Sequence, residues 1–460
     1  MDSESTSIRP LNPHSDIELT TLEQQRSDIS LSSEQPGASV NVQELPPVDE
    51  GRKAWIFCLS GLLLETMVWG FGFSYGIFQA YYTSHPPFDK ASHIAVAAVG
   101  PTALAIEYGA GIFLAFVYGR YPDHMKKSMW FGLVLNSMSL ILSSFVNQVW
   151  LLIALQGVGL GIAGSLLYWP VIFLVSEWFV QRKGLASGII FAGSGIGAGF
   201  IFPLIVNALM DSLGHRWTLR ILAAIQAVFG GIALVGVCPR IPPIKYRRGQ
   251  RRPQFIPPRL QFFSRKVFWT FATTTFLQAM SYFPVSLYIA VFTATISSPL
   301  SATIVLSMFN SSGVVGQILI GYLSDRFPYP WIMFGSTMGS AIAAFLLWGF
   351  ADTLARVFAF AIIFGGLSGG FSSVTFAAAT DAANPNPEQA GMAASAATLG
   401  KGIAAVMGPI ISGVLLEAGK SVSSGPYGKF GFGPVEIFVG SCAIAGSMSS
   451  LAVLATRPRP

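Results

Sequence analysis

Runs of apolar residues, each about 20 residues or longer, dominate the chain from Ala54 to Ala455, and none alternates polar with apolar at period two. A hydrocarbon core of roughly 30 Å takes about 20 apolar residues per helix, so each run is long enough to cross a bilayer as a helix. Twelve spans are predicted: Ala54–Tyr82, Ile94–Tyr118, Ser128–Val146, Val149–Val175, Gly184–Leu209 and Trp217–Cys238, then Val267–Phe292, Ala302–Tyr322, Trp331–Phe350, Ala355–Ala377, Ala390–Leu416 and Val435–Ala455. A transmembrane β-barrel would need alternating segments of about 10 residues, which are not seen. The predicted class is an all-α membrane protein.

Composition agrees with that pattern. The chain has 460 residues, 52% hydrophobic and 11% charged, with mean hydropathy +0.56. Its length could hold three soluble domains, but this composition could not. Residues 1–50 differ: they carry ten acids against Arg9 and Arg26, many Ser and Pro, and no sustained apolar run, so a disordered tail is expected and no cleavable signal peptide precedes the first span. Cys58, Cys238 and Cys442 fall in or beside apolar runs, which suggests packing and neither a disulfide framework nor a metal site.

Charge position carries more than net charge, which is +6. With the N-terminus inside, 19 Lys and Arg flank spans on that side against six on the other, so both termini are expected in the cytoplasm. Nine of the 19 lie between Pro239 and Lys266 with no acid among them, which predicts a cytoplasmic linker lying against anionic lipid and no nucleic-acid role. The implied domains are the tail 1–50, a six-helix half 51–238, the linker 239–266, a second half 267–456 and a short C-terminus 457–460.

The halves repeat. Gly119 and Asp123 after span 2 match Gly321, Asp325 and Arg326 after span 8 at an offset of 202. Arg182, Gly184 and Ala186 at the entry to span 5 parallel Gln389, Gly391 and Ala393 at an offset of 207. Duplicated halves with loop signatures at equivalent places indicate a secondary transporter working by alternating access about a central cavity.

These motifs carry a resemblance. Gly-x-x-x-Asp-Arg, complete at Gly321–Arg326 and degenerate at Gly119–Lys127, resembles the loop signature of the major facilitator superfamily. The segments Trp178–Gly193, Asp49–Trp55 and Gly72–Gly76 resemble the monocarboxylate porter family in its fungal form, over essentially the whole chain after residue 49. That likeness implies twelve helices in two pseudo-symmetric halves, the plasma membrane as location, and transport of a small mono- or dicarboxylate together with a proton. Animal lactate carriers of the family place charges where this chain has Gln79, Gly313 and Gln317, so their apparatus is absent at three positions. The segment Thr398–Ala405 resembles the oxalate–formate exchangers, whose lysine at the place of Lys401 helps hold a carboxylate.

Three ionisable residues lie well inside spans, Glu65, Glu107 and Lys401, and charge at bilayer depth costs about 2.5–3.5 kcal/mol on insertion scales. Each is expected to face the bundle interior. Glu65 shares a helical stripe with Trp69, Gly72, Gly76 and Gln79 and sits near the midplane, where a carboxyl group could load and release a proton. Glu107 is the second proton candidate, with a structural hydrogen-bonded acid as its alternative. Lys401, among Ala394, Ala397, Ala405 and Gly408, would bind an anionic substrate group or pair with Glu65 or Glu107.

Further substrate contacts are expected from Tyr75, Gln79, Asn310 and Gln317, and from the aromatics Trp169, Phe283 and Tyr288. Gating is assigned to Asp123, Asp325, Arg326 and Arg182 at span ends, where charge pairs can hold one conformation closed. The glycine-rich run Gly184–Pro203 reads as close helix packing and not as a phosphate loop. No catalytic residue, cofactor or metal site is predicted, and no nucleotide-binding domain has room. Alternatives are export of a larger, less charged metabolite, or a non-transporting solute sensor; the repeated charged or carbonyl-bearing ring of a channel is not visible.

Overall fold

A computed structural model describes residues 45–246, 250–257, 260–384, 389–420 and 425–457, with the side chains of residues 93 and 94 left aside. The acidic segment 1–44, expected to be disordered, and the last residues 458–460 lie outside the described residues.

Among the described residues, ten helices are long and apolar enough to cross a membrane. One of them, Lys183–Gly236, breaks at Gly214, whose φ of 73° is open to glycine and costly for other residues, and so supplies two spans. Met125–Ser143, 19 residues long, completes twelve. In chain order they are α1 (Gly51–Ser84), α2 (Ala95–Arg120), α3 (Met125–Ser143), α4 (Val149–Trp178), α5 (183–213), α6 (215–236), α7 (Lys266–Ile296), α8 (Pro299–Arg326), α9 (Tyr329–Trp348), α10 (Leu354–Ala383), α11 (Ala390–Lys420) and α12 (Gly433–Thr456). Every predicted span is a helix, with ends displaced by a few residues. Large apolar side chains stand exposed around the bundle, among them Leu204, Val235, Val315 and Val414. In water such a surface would aggregate, and it suits a protein solvated by lipid.

Without a hydrophobic force between helices in lipid, close approach through small residues holds the bundle together. The glycine-rich start of α5 serves that purpose. A Cβ on Gly193 would lie 2.2 Å from the Leu62 carbonyl of α1, and one on Gly188 2.3 Å from the Gln317 carbonyl of α8. The first contact builds the first half, and the second joins it to the other half. Across the same seam Gly195 abuts the Asn310 carbonyl, while Gly402 of α11 abuts Tyr108 of α2.

The basic linker is partly bound to protein. Arg240 donates from its backbone to Glu177 of α4 (3.1 Å) and from Nε to the Pro46 carbonyl (2.8 Å). Arg252 reaches Asp123, and Phe255 packs on Phe113 and Phe116 of α2. The cysteines are free; Cys58 is buried, with Sγ 3.6 Å from the Ala186 carbonyl.

Candidate functional site

A central cavity opens between the halves, walled by α1, α2, α4 and α5 on one side and α7, α8, α10 and α11 on the other. It holds about 60 Å³ of free space, room for a few water-sized occupants. Lys401 of α11 reaches into it and donates from Nζ to Ser372 Oγ at 2.7 Å. A turn of 3-10 helix at Phe371–Val374 interrupts α10 and carries that serine. The ammonium also lies 5.4 Å from the centre of the Tyr108 ring, a cation–π contact.

Opposite stands Glu65 of α1, 5% exposed and lining the cavity, with no hydrogen-bond partner among the described residues. The charge of Lys401 acts on it across the cavity, but no direct ion pair joins the two. Four rings in contact line the same cavity: Tyr108 on Trp69 (4.4 Å between centroids), Trp69 on Tyr168 (5.1 Å) and Tyr168 on Trp169 (5.1 Å). Gln317 adds a buried Oε1 that lacks a partner, and Gln278 is anchored by donation to the backbone oxygen and Oγ of Ser368 (2.8 and 3.0 Å). The result is an apolar aromatic slot with one cation, one carboxyl group and several neutral hydrogen-bonding groups. Such a site can orient an amphipathic molecule by its acidic end.

The cavity thus unites Glu65, Lys401, Trp169 and Gln317, and leaves other candidates elsewhere. Tyr75 donates to the Val96 carbonyl at 2.9 Å inside the first half, and Gln79 lies further along α1 outside the cavity. The reason is a π-helical turn at Thr66–Gly70, which shifts the register of α1, so that Phe73 follows Glu65 and Trp69 on the cavity wall while Gly72 and Tyr75 turn away. Asn310 belongs to the α5–α8 seam. Phe283 packs edge to face on Tyr108 at 6.1 Å, behind the wall, and Tyr288 donates to the Pro409 carbonyl at 3.2 Å. Glu107 turns from the central cavity into a second, smaller one within the first half, in a space kept free by Gly164, where a Cβ would lie 2.2 Å from Oε1.

The gating candidates lie at the span ends that carry the repeated loops and the entry to α5, each with its own partner. Asp325 accepts hydrogen bonds from the backbone N–H groups of Gly184 and Leu185, at 2.7 and 2.8 Å, and so caps the first turn of α5 in the opposite half. Glycine is required at this joint, since a Cβ on Gly184 would lie 2.4 Å from the Gly321 carbonyl. Arg182 takes part through its backbone N–H, which donates to Asp49 at 2.9 Å. Asp49 also accepts from the N–H groups of Val180 and Gln181, both at 3.0 Å. That role was missed, although Asp49 stands in a quoted motif, because a cap 130 residues away leaves no local pattern. Arg326 stacks on Tyr322 at 4.5 Å. Asp123 pairs with Arg252 of the linker (2.9 and 3.3 Å), whose hydrogen bonds hold its carboxyl well below the usual carboxylate range.

Other clues missed in the sequence are Ser372, Gln278 and Tyr168, single polar or aromatic residues within apolar runs that only assembly brings to one cavity.

Comparison with known proteins gives a consistent picture. The profile described as Major Facilitator Superfamily matches residues 66–409 and 276–459. A protein described as an MFS-type transporter from Gibberella zeae is 28% identical over 81% of this chain and 81% of its own length. An aspyridones efflux protein of Emericella nidulans is 26% identical over 88% of this chain and 78% of its own. A fujikurins efflux protein of Gibberella fujikuroi is 28% identical over 87% and 83%.

Proposed function

Because the chain belongs to the Major Facilitator Superfamily, and is a multi-pass membrane transporter of that type, we propose that it exports an amphipathic, weakly acidic metabolite through the central cavity. One observation carries this reading: a single ammonium, Lys401, is set among aromatic rings and hydroxyls and faces an unpaired carboxyl group across the cavity. Lys401 holds the acidic end of the substrate in place of Ser372, while Trp69, Tyr108 and Tyr168 contact its apolar body. Glu65 exchanges a proton as the substrate's charge arrives or leaves, which couples transport to a proton gradient.

Support for export of a metabolite comes from the relatives named as efflux proteins for aspyridones and fujikurins. The likeness of Trp178–Gly193 to monocarboxylate porters supports an acidic group. A lactate-sized acid would leave most of the aromatic wall without a partner, so the export reading is preferred to the small mono- or dicarboxylate. The Lys and Arg distribution supports a cytoplasmic position for the repeated-loop end and both termini, and the plasma membrane is the location consistent with export.

Proteoliposomes with an imposed pH gradient, offered a labelled panel of aromatic and polyketide-like acids alongside neutral analogues, test the proposal. Saturable transport of an acid, lowered by the loss of a charged hydrogen bond in Lys401→Gln, about 1.5–3 kcal/mol or roughly 10- to 150-fold, is expected. Transport of the neutral analogues alone, unaffected by the substitution in a folded protein, would overturn it.

A further inference from the structure

The second cavity lies wholly within the first half, bordered by α1, α2, α3 and α4, and no step proposed for the central cavity uses it. Its free space of about 20 Å³ takes one water-sized occupant and no more. Three side chains that carry oxygen line it, and each is more than nine-tenths buried: Glu107, Asn136 and Gln156. Glu107 Oε2 and Gln156 Oε1 both lack a partner. The hydrogen bonds of the nearby amides and of Tyr75 run to other acceptors. Gln156 Nε2 donates to the Tyr82 hydroxyl at 3.0 Å, Asn136 Nδ2 donates to Gln226 Oε1, and the Tyr75 hydroxyl donates to the Val96 carbonyl.

Two buried acceptors without partners in one small space each carry a desolvation penalty, larger for a charged group, unless something supplies positive charge there. The backbone supports the same conclusion. Two π-helical turns border this cavity, Thr66–Gly70 in α1 through Met67 and Val68, and Ile153–Gly159 in α4 through Gln156. Such turns disturb the regular helix ladder and recur at functional sites, and displaced carbonyls at mid-membrane depth are common cation ligands in transporters.

We infer that this cavity is a binding site for one sodium ion, held by Glu107 Oε2, the amide oxygens of Gln156 and Asn136, and backbone carbonyls of the two π-helical turns. The ligands are all hard oxygen donors, which suits an alkali or alkaline-earth ion and not a soft metal. One carboxylate balances one positive charge, so the ion is monovalent. The bound ion ties α1 to α2, α3 and α4, and so stiffens the half that carries Glu65.

The test uses the purified full-length chain and needs no substrate, so it can fail independently of the transport reading. Binding of radioactive ²²Na⁺ is measured by scintillation proximity, with choline as the inert replacement and K⁺ as competitor. Saturable binding is expected, with thermal unfolding moved to higher Tm in NaCl than in choline chloride. Glu107→Gln should abolish both effects. Gln156→Leu, which removes a ligand without changing charge, should weaken binding about tenfold, and it keeps the test decisive if Glu107→Gln does not fold. No saturable binding in the wild type, binding unchanged in both variants, or K⁺ bound as tightly as Na⁺ would each overturn the site. So would a Tm indifferent to Na⁺ that shifts with pH through Glu107, which would make the group a proton site.

Discussion

The first six helices bury two carboxyl groups, Glu65 and Glu107, whereas the last six bring an ammonium, Lys401, to the central cavity and bury their own carboxyl group, Glu436, at the start of α12. The repeated loops diverge in the same way. Asp325 of the second half crosses to cap α5 of the first, while Asp123 of the first half binds the linker. Duplication supplies a scaffold in which two similar bodies can rock against each other, and the charges placed on it are free to differ. The difference makes the cavity electrically polar, with an acid on one wall and a base on the other. A symmetric pair of like charges would repel across the gap and hold the halves apart.

Removing the acid from one wall tests that polarity most severely. Glu65→Gln keeps the shape and hydrogen-bonding capacity of the side chain but cannot change charge. If Glu65 carries the proton, uptake driven by a pH gradient should fall by about tenfold or more, equivalent to about 1.4 kcal/mol, while exchange of labelled for unlabelled substrate persists. Equal loss of both activities in proteoliposomes would make Glu65 a substrate contact, and the asymmetry between the halves would then concern binding alone.

The second test addresses the loops. Asp325→Asn removes the charge that accepts from the Gly184 and Leu185 N–H groups at the start of α5, an interaction of about 0.3–2 kcal/mol for charges at helix termini. The joint between the halves at that end should loosen, raising the labelling rate of a cysteine placed at Ser372 from that side by about twofold to thirtyfold. An unchanged labelling rate would show that the glycine contacts at Gly184 and Gly321 hold the joint without the carboxylate.

Much of this was legible in sequence, because membrane spans announce themselves by length and hydropathy, and a charge inside a span is conspicuous. Glu65, Lys401 and the Asp325 loop were all visible for that reason. The wall of α1 was misread because a periodicity argument assumes 3.6 residues per turn, and the π-helical turn at Thr66–Gly70 breaks that phase between Trp69 and Gly72, so that Phe73 takes the place expected of Gly72. Neither the partners of Lys401 nor the cap provided by Asp49 could be found, since both depend on segments that meet only after folding. Asn310 and Phe283 stand beside the cavity without lining it, and a residue's type and position in a span do not say which neighbour its side chain meets.

The smallest expected effect belongs to Asp123, whose pairing with Arg252 is the counterpart of the α5 cap in the other half. Hydrogen bonds from Arg252 lower the pKa of this carboxyl group. Its contribution is therefore complete at every pH above the ordinary aspartate value of about 3.9, and is lost only as pH falls through the lowered value. A spin label at Gln254, exposed beside Arg252, reads the tether directly. Asp123→Asn should mobilise the label at neutral pH, whereas the wild type should keep it ordered down through pH 5 and lose order only in stronger acid. Added salt should loosen the wild-type linker, because the pair is partly open to solvent, and should leave the α5 cap made by Asp325 less affected. Equal salt sensitivity at the two loops would remove the distinction between them and make both of them surface charge pairs.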